Sequence, residues 1–242
     1  PMPLRAVIFD GFNTLFDGAP TLREAIDEGV QAAHRALRAE GVGVAFPEFL
    51  RAYNRARDAQ KEARKTTNRE FPIEARIEEA LRHLGLSGKP EVVARVAEAH
   101  MAGFGRFALV HPEAPEVLRE LRRSYKLGVA SNYYHSAHLH TILRSVGLHA
   151  YFDVVVASAD VGYVKPHPAM FQEVLRRLDV RPAEALMVGD TPEHDVVAAQ
   201  ALGMRGCFIP DPRDPSPPAC PEADLVIRRL AELPAALSRF GP

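Results

Sequence analysis

Cysteine is scarce: Cys207 and Cys220 are the only two in 242 residues. This excludes a disulfide-framed scaffold. The pair reads as two reduced structural thiols, with a single bridge as the alternative. Charge of either sign is not in excess, since 31 acidic and 30 basic side chains leave a formal net charge of -1. A nucleic-acid binder normally carries a basic surplus, so that class is set aside. No apolar run approaches the ~20 residues that span a bilayer, which sets aside a membrane partner. No charged leader followed by an apolar stretch opens the chain, so the expected location is cytoplasmic. Repeats and low-complexity tracts are missing too. Lysine is used sparingly against arginine, and alanine and proline are plentiful. That bias is expected of a GC-rich bacterial genome.

What is present is a chain long enough to bury a large core. In its second half, short apolar runs alternate with helical periods. Lys126 to Ala130, Phe152 to Ser158, Ala185 to Val188, Arg205 to Ile209 and Asp224 to Ile227 read as strands. Ser136 to Val146, Pro168 to Leu178, Glu193 to Leu202 and Ala231 to Arg239 read as helices. That alternation predicts a parallel sheet wrapped in helices, an α/β doubly wound fold. From about Gly18 to Phe107 the pattern is helical throughout: Thr21 to Glu40, Phe46 to Lys65, Glu74 to Leu84 and Pro90 to Met101. Six prolines between Pro210 and Pro221 require an irregular loop.

Four segments carry chemistry. Ala6-Val7-Ile8-Phe9-Asp10 is an apolar strand delivering a carboxylate to its C-terminal tip, followed by Gly11-Phe12-Asn13-Thr14. Ligands bind at such tips in open α/β sheets. Leu127 to Ala130 leads into Ser131-Asn132, a hydroxyl and an amide at another tip. Lys165 is held between Val164 and Pro166, ahead of a helix. Met187-Val188-Gly189-Asp190 ends a third strand and is followed by Asp195. Each has a plainer explanation taken alone: turn-forming Asp10 and Thr14, helix-capping Ser131 and Asp195, a surface Lys165.

Taken in order, Asp, Ser/Asn, Lys and Gly-Asp-x-x-x-x-Asp resemble the four motifs of the haloacid dehalogenase-like (HAD) hydrolase superfamily, from Val7 to about Leu225. The resemblance implies a Rossmann-like core of residues 1–17 and 108–242. It makes the first strand, Leu4 to Phe9, part of that sheet. It also implies a four-helix cap of residues 18–107 that closes over the site and excludes water. Asp10 is then the nucleophile, forming a covalent intermediate. Thr14 and Ser131 donate to the substrate's anionic oxygens, Asn132 contacts substrate, and Lys165 neutralises developing charge. Mg²⁺ is the implied cofactor, held by Asp10, the backbone carbonyl of Phe12 and Asp190, with Asp195 in the outer shell or acting through water. The substrate is a small anionic molecule. Arg51 and Arg55, in a basic stretch with Arg57, Lys61, Arg64 and Lys65, are candidates to hold it; a solvated helix face is the plainer reading. Asn13 replaces the family's usual Gly and tolerates positive φ. His194 is assigned no role.

Phe12 departs from the phosphatase pattern. Phosphatases of this superfamily have a second Asp two residues after the nucleophile, acting as general acid and base. Three readings follow. The first is a Mg²⁺-dependent phosphohydrolase or phosphotransferase that works on good leaving groups or takes acid-base help from the cap. The second is a metal-free 2-haloacid dehalogenase, whose Phe-Asp-x-Tyr-Gly-Thr-Leu the segment Phe9 to Leu15 resembles. The third is a relative of little or no activity that binds a ligand. Asp190 favours the first, because those dehalogenases have Ser or Asn there. If general acid help is what is lacking, Phe12→Asp should raise turnover of phosphomonoesters with poor leaving groups. The ceiling is the ~10²–10⁴-fold such catalysis supplies. The gain should shrink for p-nitrophenyl phosphate, and a folded variant without gain on any ester would count against the first reading.

Overall fold

The computed structural model describes residues 2–17, 22–104, 108–211 and 213–240. The expected boundaries at Gly18 and Phe107, the helix start at Thr21, and Pro212 lie outside the described residues. The chain divides into two compact units, Pro1–Asp17 with Leu109–Pro242, and Gly18–Ala108.

The first unit holds a six-stranded, all-parallel sheet. Its strands are β1 (Ala6–Phe9), β4 (Lys126–Ser131), β5 (Val154–Ala157), β6 (Ala185–Gly189), β7 (Arg205–Phe208) and β8 (Leu225–Val226). The spatial order is β5-β4-β1-β6-β7-β8. Sequence order runs outward to one side from β4 and to the other from β6, so the chain changes direction at β1 and β6. Open sheets bind ligands at this switch point. Phe9 pairs with Val129 on one side and Val188 on the other. Asp10 therefore leaves the sheet beside the ends of both neighbours.

Alternate side chains of β1 face opposite layers. Ala6 and Ile8 join Met170, Phe171 and Val174 of α8 (Pro168–Leu178) in one buried layer, while Val7 and Phe9 are fully buried outside that layer. A strand buried on both faces reads as a continuous apolar run, which is what Ala6 to Phe9 is. Further helices of this unit are α5 (Ala114–Leu121), α6 (Ser136–Ser145), α7 (Ser158–Val161) and α10 (Leu233–Leu237). The sequence pattern did not single out α5 or α7. The expected closing helix is α10 flanked by 3₁₀ turns. Strands β2 (Phe16–Asp17) and β3 (Leu109–Val110) form a separate antiparallel pair, through which the chain leaves the sheet and returns to it.

The expected helix Glu193 to Leu202 is corrected. A π-helical turn, Pro192–Val197, comes first, and only Ala198–Gln200 (α9) is α-helical. Such widened turns recur at functional sites. Cys207 and Cys220 are both free and buried. Burial pushes the Cys207 thiol up to about 12.

The second unit is four helices, α1 (Leu22–Ala39), α2 (Phe46–Thr67), α3 (Ile73–His83) and α4 (Pro90–Phe104), with α1 packed mainly on α4 and α2 on α3. Its core contains a polar chain. Arg76 donates from Nε to Gln60 (2.9 Å) and from Nη1 to the Tyr53 hydroxyl (3.2 Å), which is hydrogen-bonded with His100 Nε2 (2.7 Å). No helix among the described residues is long and apolar enough to cross a membrane.

Candidate active site

The three strand tips and the Lys165 loop converge on a cavity of about 180 Å³ lined by Asp10, Phe12, Asn13, Ser131, Asn132, Lys165, Asp190, Thr191, His194 and Asp195. Lys165 is at its centre. Its Nζ donates to Asp10 Oδ1 and to Asp195 Oδ1, each at 2.6 Å, and its side chain is only 2% exposed. Burial works against the ammonium, but the two carboxylates outweigh it and hold Lys165 above its ordinary range. Burial also pushes the Asp10 carboxyl up to about 7, against the pull of Lys165 and with a further push from Asp195 and Asp190.

Local structure explains how the lysine is aimed. Asn132 Oδ1 accepts from the Lys165 backbone N–H at 2.6 Å, and Asn132 Nδ2 donates to the Lys165 carbonyl at 3.1 Å. Each end of that amide holds the lysine's backbone by one hydrogen bond. Asn132 thus clamps Lys165, and it also lines the cavity, where substrate contact is open to it. On the other side, Asp195 Oδ2 accepts from Thr191 N–H at 3.0 Å. The π-turn folds the Asp195 side chain back over Gly189, where an added Cβ would lie 2.3 Å from its carboxylate. Both Asp195 oxygens are thus engaged.

Asp10, Asp190 and Asp195 bring carboxylate oxygens within 4.8 Å of one another. Asp190 is half-buried, and burial raises its carboxyl above the ordinary value, opposed by a hydrogen bond from Asn13 Nδ2 to Asp190 Oδ2 at 3.0 Å. With Lys165 balancing one charge, this set of hard oxygen donors suits a divalent cation. Each of the three offers an oxygen to such an ion, Asp10 and Asp190 from the strand tips. Asp195, already held by Lys165 and Thr191, suits the outer shell.

Phe12 rests edge-on against Phe16 (4.7 Å between centroids) and stacks on Tyr133 (5.7 Å), so an aromatic wall stands where an acid was expected. The turn after Asp10 is closed by Leu15 N–H to Gly11 O and Asn13 N–H to Phe16 O, both 2.9 Å, with Asn13 at φ 61°. Gly11 is required because a Cβ would meet Ser131 Oγ at 2.9 Å. Thr14 is buried, and its Oγ1 has no hydrogen-bond partner among the described residues.

Arg51 and Arg55 are exposed on α2 of the helical unit. Elsewhere in that basic stretch Arg57, Arg64 and Lys65 pair with Asp58, Glu70 and Glu62. Thr191, Tyr133 and Arg213 were not singled out, and His194 was assigned no role. His194 and Thr191 line the cavity, Tyr133 backs Phe12, and Arg213 donates to Asn13 Oδ1 at 2.6 Å. His194 and Thr191 lie inside the fourth motif. No local pattern marked Tyr133 or Arg213.

Comparison with known proteins decides the family. The family model for haloacid dehalogenase-like hydrolases matches residues 4–203. The chain belongs to that family. Among curated relatives, this hydrolase is 29% identical over 202 residues to glyceraldehyde 3-phosphate phosphatase of Methanopyrus kandleri, covering 83% of this chain and 82% of that one. It is 30% identical over 227 residues to haloacid dehalogenase-like hydrolase domain-containing protein 3 of Bos taurus, covering 89% and 86%. Among solved structures, the 2-haloacid dehalogenase of Pseudomonas syringae pv. Tomato DC3000 superposes with a TM-score of 0.74 at 28% identity, covering 98% of this hydrolase and all of that chain.

Two outcomes follow for the hydrolase. Gly189→Ala should drive Asp195 off Lys165 and cost at least ~1–3 kcal/mol in urea unfolding, as overpacking does. Gly43→Ala, where an added Cβ meets nothing within 4 Å, should stay within ~0.5 kcal/mol. The second concerns His138, whose Nδ1 is hydrogen-bonded with the Tyr133 hydroxyl at 2.8 Å and which is held by burial, then by His135, down at about 4. Between about 4 and the ordinary 6.5 the unfolded chain binds a proton that the folded one refuses. Folded stability should fall on acidification through that window, and His138→Gln should flatten the fall. A stability difference between the two proteins that does not change with pH would remove His138 as the cause.

Proposed function

We propose that this protein is a phosphohydrolase acting on small phosphorylated molecules, with Asp10 as nucleophile and Mg²⁺ as cofactor. The observation that carries the reading is Asp190 beside Asp10: its carboxylate adds negative charge to a site that must accept an anion. Unneutralised, it would repel the substrate. Asp10, Asp190 and the Phe12 carbonyl would hold the cation, with Asp195 behind them. When bound, it would supply charge neutralisation at the substrate's phosphoryl oxygens.

The chain's own residues account for the rest. Asp10 attacks phosphorus, and the leaving oxygen departs with the electron pair of the broken P–O bond. Water then attacks the aspartyl phosphate, freeing phosphate and restoring the carboxylate. Lys165 aims Asp10 and favours its ionised form against the burial that raises it. Ser131, which lines the cavity at the β4 tip, and Thr14, buried behind the turn with no Oγ1 partner among the described residues, are the donors assigned to the phosphoryl oxygens. Phe12 can neither protonate the leaving oxygen nor activate the water. Substrates whose leaving groups depart as stable anions, such as acyl phosphates and phosphoanhydrides, are therefore favoured. The helical unit serves as the cap in this reading. The similarity to a glyceraldehyde 3-phosphate phosphatase supports it.

A second reading, hydrolysis of a carbon–halogen bond, is favoured by Phe12, since a halide leaves without a proton. The likeness to the Pseudomonas syringae 2-haloacid dehalogenase points the same way. One screen separates them: acetyl phosphate, p-nitrophenyl phosphate and L-2-chloropropionate, each with Mg²⁺ and with EDTA. The expected result is Mg²⁺-dependent phosphate release, largest for acetyl phosphate and below about a tenth of that rate in Asp10→Asn, as loss of a nucleophile requires. Chloride release indifferent to EDTA would overturn the phosphohydrolase.

A further inference from the structure

Arg213 comes from the proline-rich loop, far from every motif in sequence, yet it reaches the turn that follows Asp10. It is held before it arrives. Asp211 accepts from the Arg213 backbone N–H, from Nε and from Nη2, each at 2.9 Å. Arg213 keeps the Asp211 carboxyl below its ordinary value, the side-chain hydrogen bond being the largest cause. The same Nη2 donates to Asn13 Oδ1 at 2.6 Å, and Asn13 Nδ2 donates to Asp190 Oδ2 at 3.0 Å.

An asparagine amide can present either end to a neighbour. A guanidinium only donates, so the end facing Arg213 must be the oxygen. A carboxylate only accepts, so the end facing Asp190 must be the nitrogen. Asn13 sits at φ 61°, where glycine would be at ease but would have no side chain to pass the constraint on.

We propose that Asp211, Arg213 and Asn13 form a positioning relay that fixes the Asp190 carboxylate, with Arg213 acting only through Asn13. That this orientation serves a divalent cation rests on the phosphohydrolase reading; the relay itself does not. Partners standing one step behind a metal ligand govern affinity through its orientation. The relay belongs to this chain's loop and its Asn13, and it gives the loop a task at the site.

The test uses the full chain and two readouts. The first is metal-free: the side-chain amide resonances of Asn13 by ¹⁵N–¹H spectroscopy. They should lie away from the position of a free amide and move towards it in Arg213→Ala and in Asp190→Ala. Free-amide positions in the unsubstituted protein would overturn the relay whatever the metal does. The second is Mn²⁺ affinity by calorimetry, with kcat and KM on acetyl phosphate alongside. Asn13→Gly, which suits the local backbone and should fold, is expected to weaken Mn²⁺ binding about 10–100-fold, the usual cost of losing such a partner. Arg213→Ala should weaken it less, Arg213→Lys should recover part of the loss, and kcat should fall more than KM rises. The double variant should bind like Asn13→Gly alone, because the two act in series. Unchanged affinity in Arg213→Ala, or losses that multiply in the double variant, would overturn the series arrangement. Absence of Mn²⁺ binding by the unsubstituted protein would instead strike at the metal reading and leave the resonance test to decide the relay.

Discussion

The site depends on one buried cation. Lys165 is almost wholly excluded from water and survives there because two carboxylates, from β1 and from the π-turn after β6, reach it at 2.6 Å. Removing one partner from such a pair leaves an uncompensated buried charge, typically a loss of ~3–5 kcal/mol. Much of the surrounding architecture reads as a means of meeting that condition. Asn132 grips the lysine's backbone, Gly189 vacates the space Asp195 needs, and the widened turn brings Asp195 back over it. The same interaction that permits the lysine's burial keeps Asp10 pointed outward from the sheet.

Around this centre the charges are unequal. Three carboxylates crowd together, and Lys165 answers for one of them. Burial raises both Asp10 and Asp190. An arrangement that opposes its own ionisation suits a site completed by a cation and an anionic substrate, and it sits at the switch point of the sheet. The aromatic wall of Phe12, Phe16 and Tyr133 borders it. It narrows the chemistry, because no proton donor stands at position 12, and it ties the turn after Asp10 to the end of β4.

Legibility from sequence followed distance along the chain. Apolar runs such as Ala6 to Phe9 and Ala185 to Gly189 announced buried strands, since strands covered on both faces leave no polar residue to confuse the pattern. The helices of the second unit were equally plain. Less legible were short elements whose cause is tertiary. The pair β2 and β3 joins segments about ninety residues apart. The π-turn Pro192–Val197 lays Asp195 against Gly189, a tertiary contact with no mark in the local sequence pattern. Asn132 showed its residue type but not its hold on the Lys165 backbone, because that partner lies 33 residues away along the chain. Arg51 and Arg55 were grouped by charge alone, and several of their neighbours proved to be paired locally.

The residue types and their chain order by themselves determined the sheet-and-helix alternation, the helical insertion, and the acids, hydroxyl and lysine at strand ends. Those features arise from period and local chemistry, which a linear string contains. Only the tertiary structure decided what each polar group spends its hydrogen bonds on. Asp195 is held by Lys165 and Thr191, Thr14 Oγ1 has no hydrogen-bond partner among the described residues, and Asn13 is held between Arg213 and Asp190. Hydrogen bonds are satisfied by whatever the fold brings within 3 Å or so, and for Asn13 that partner lies 200 residues away along the chain.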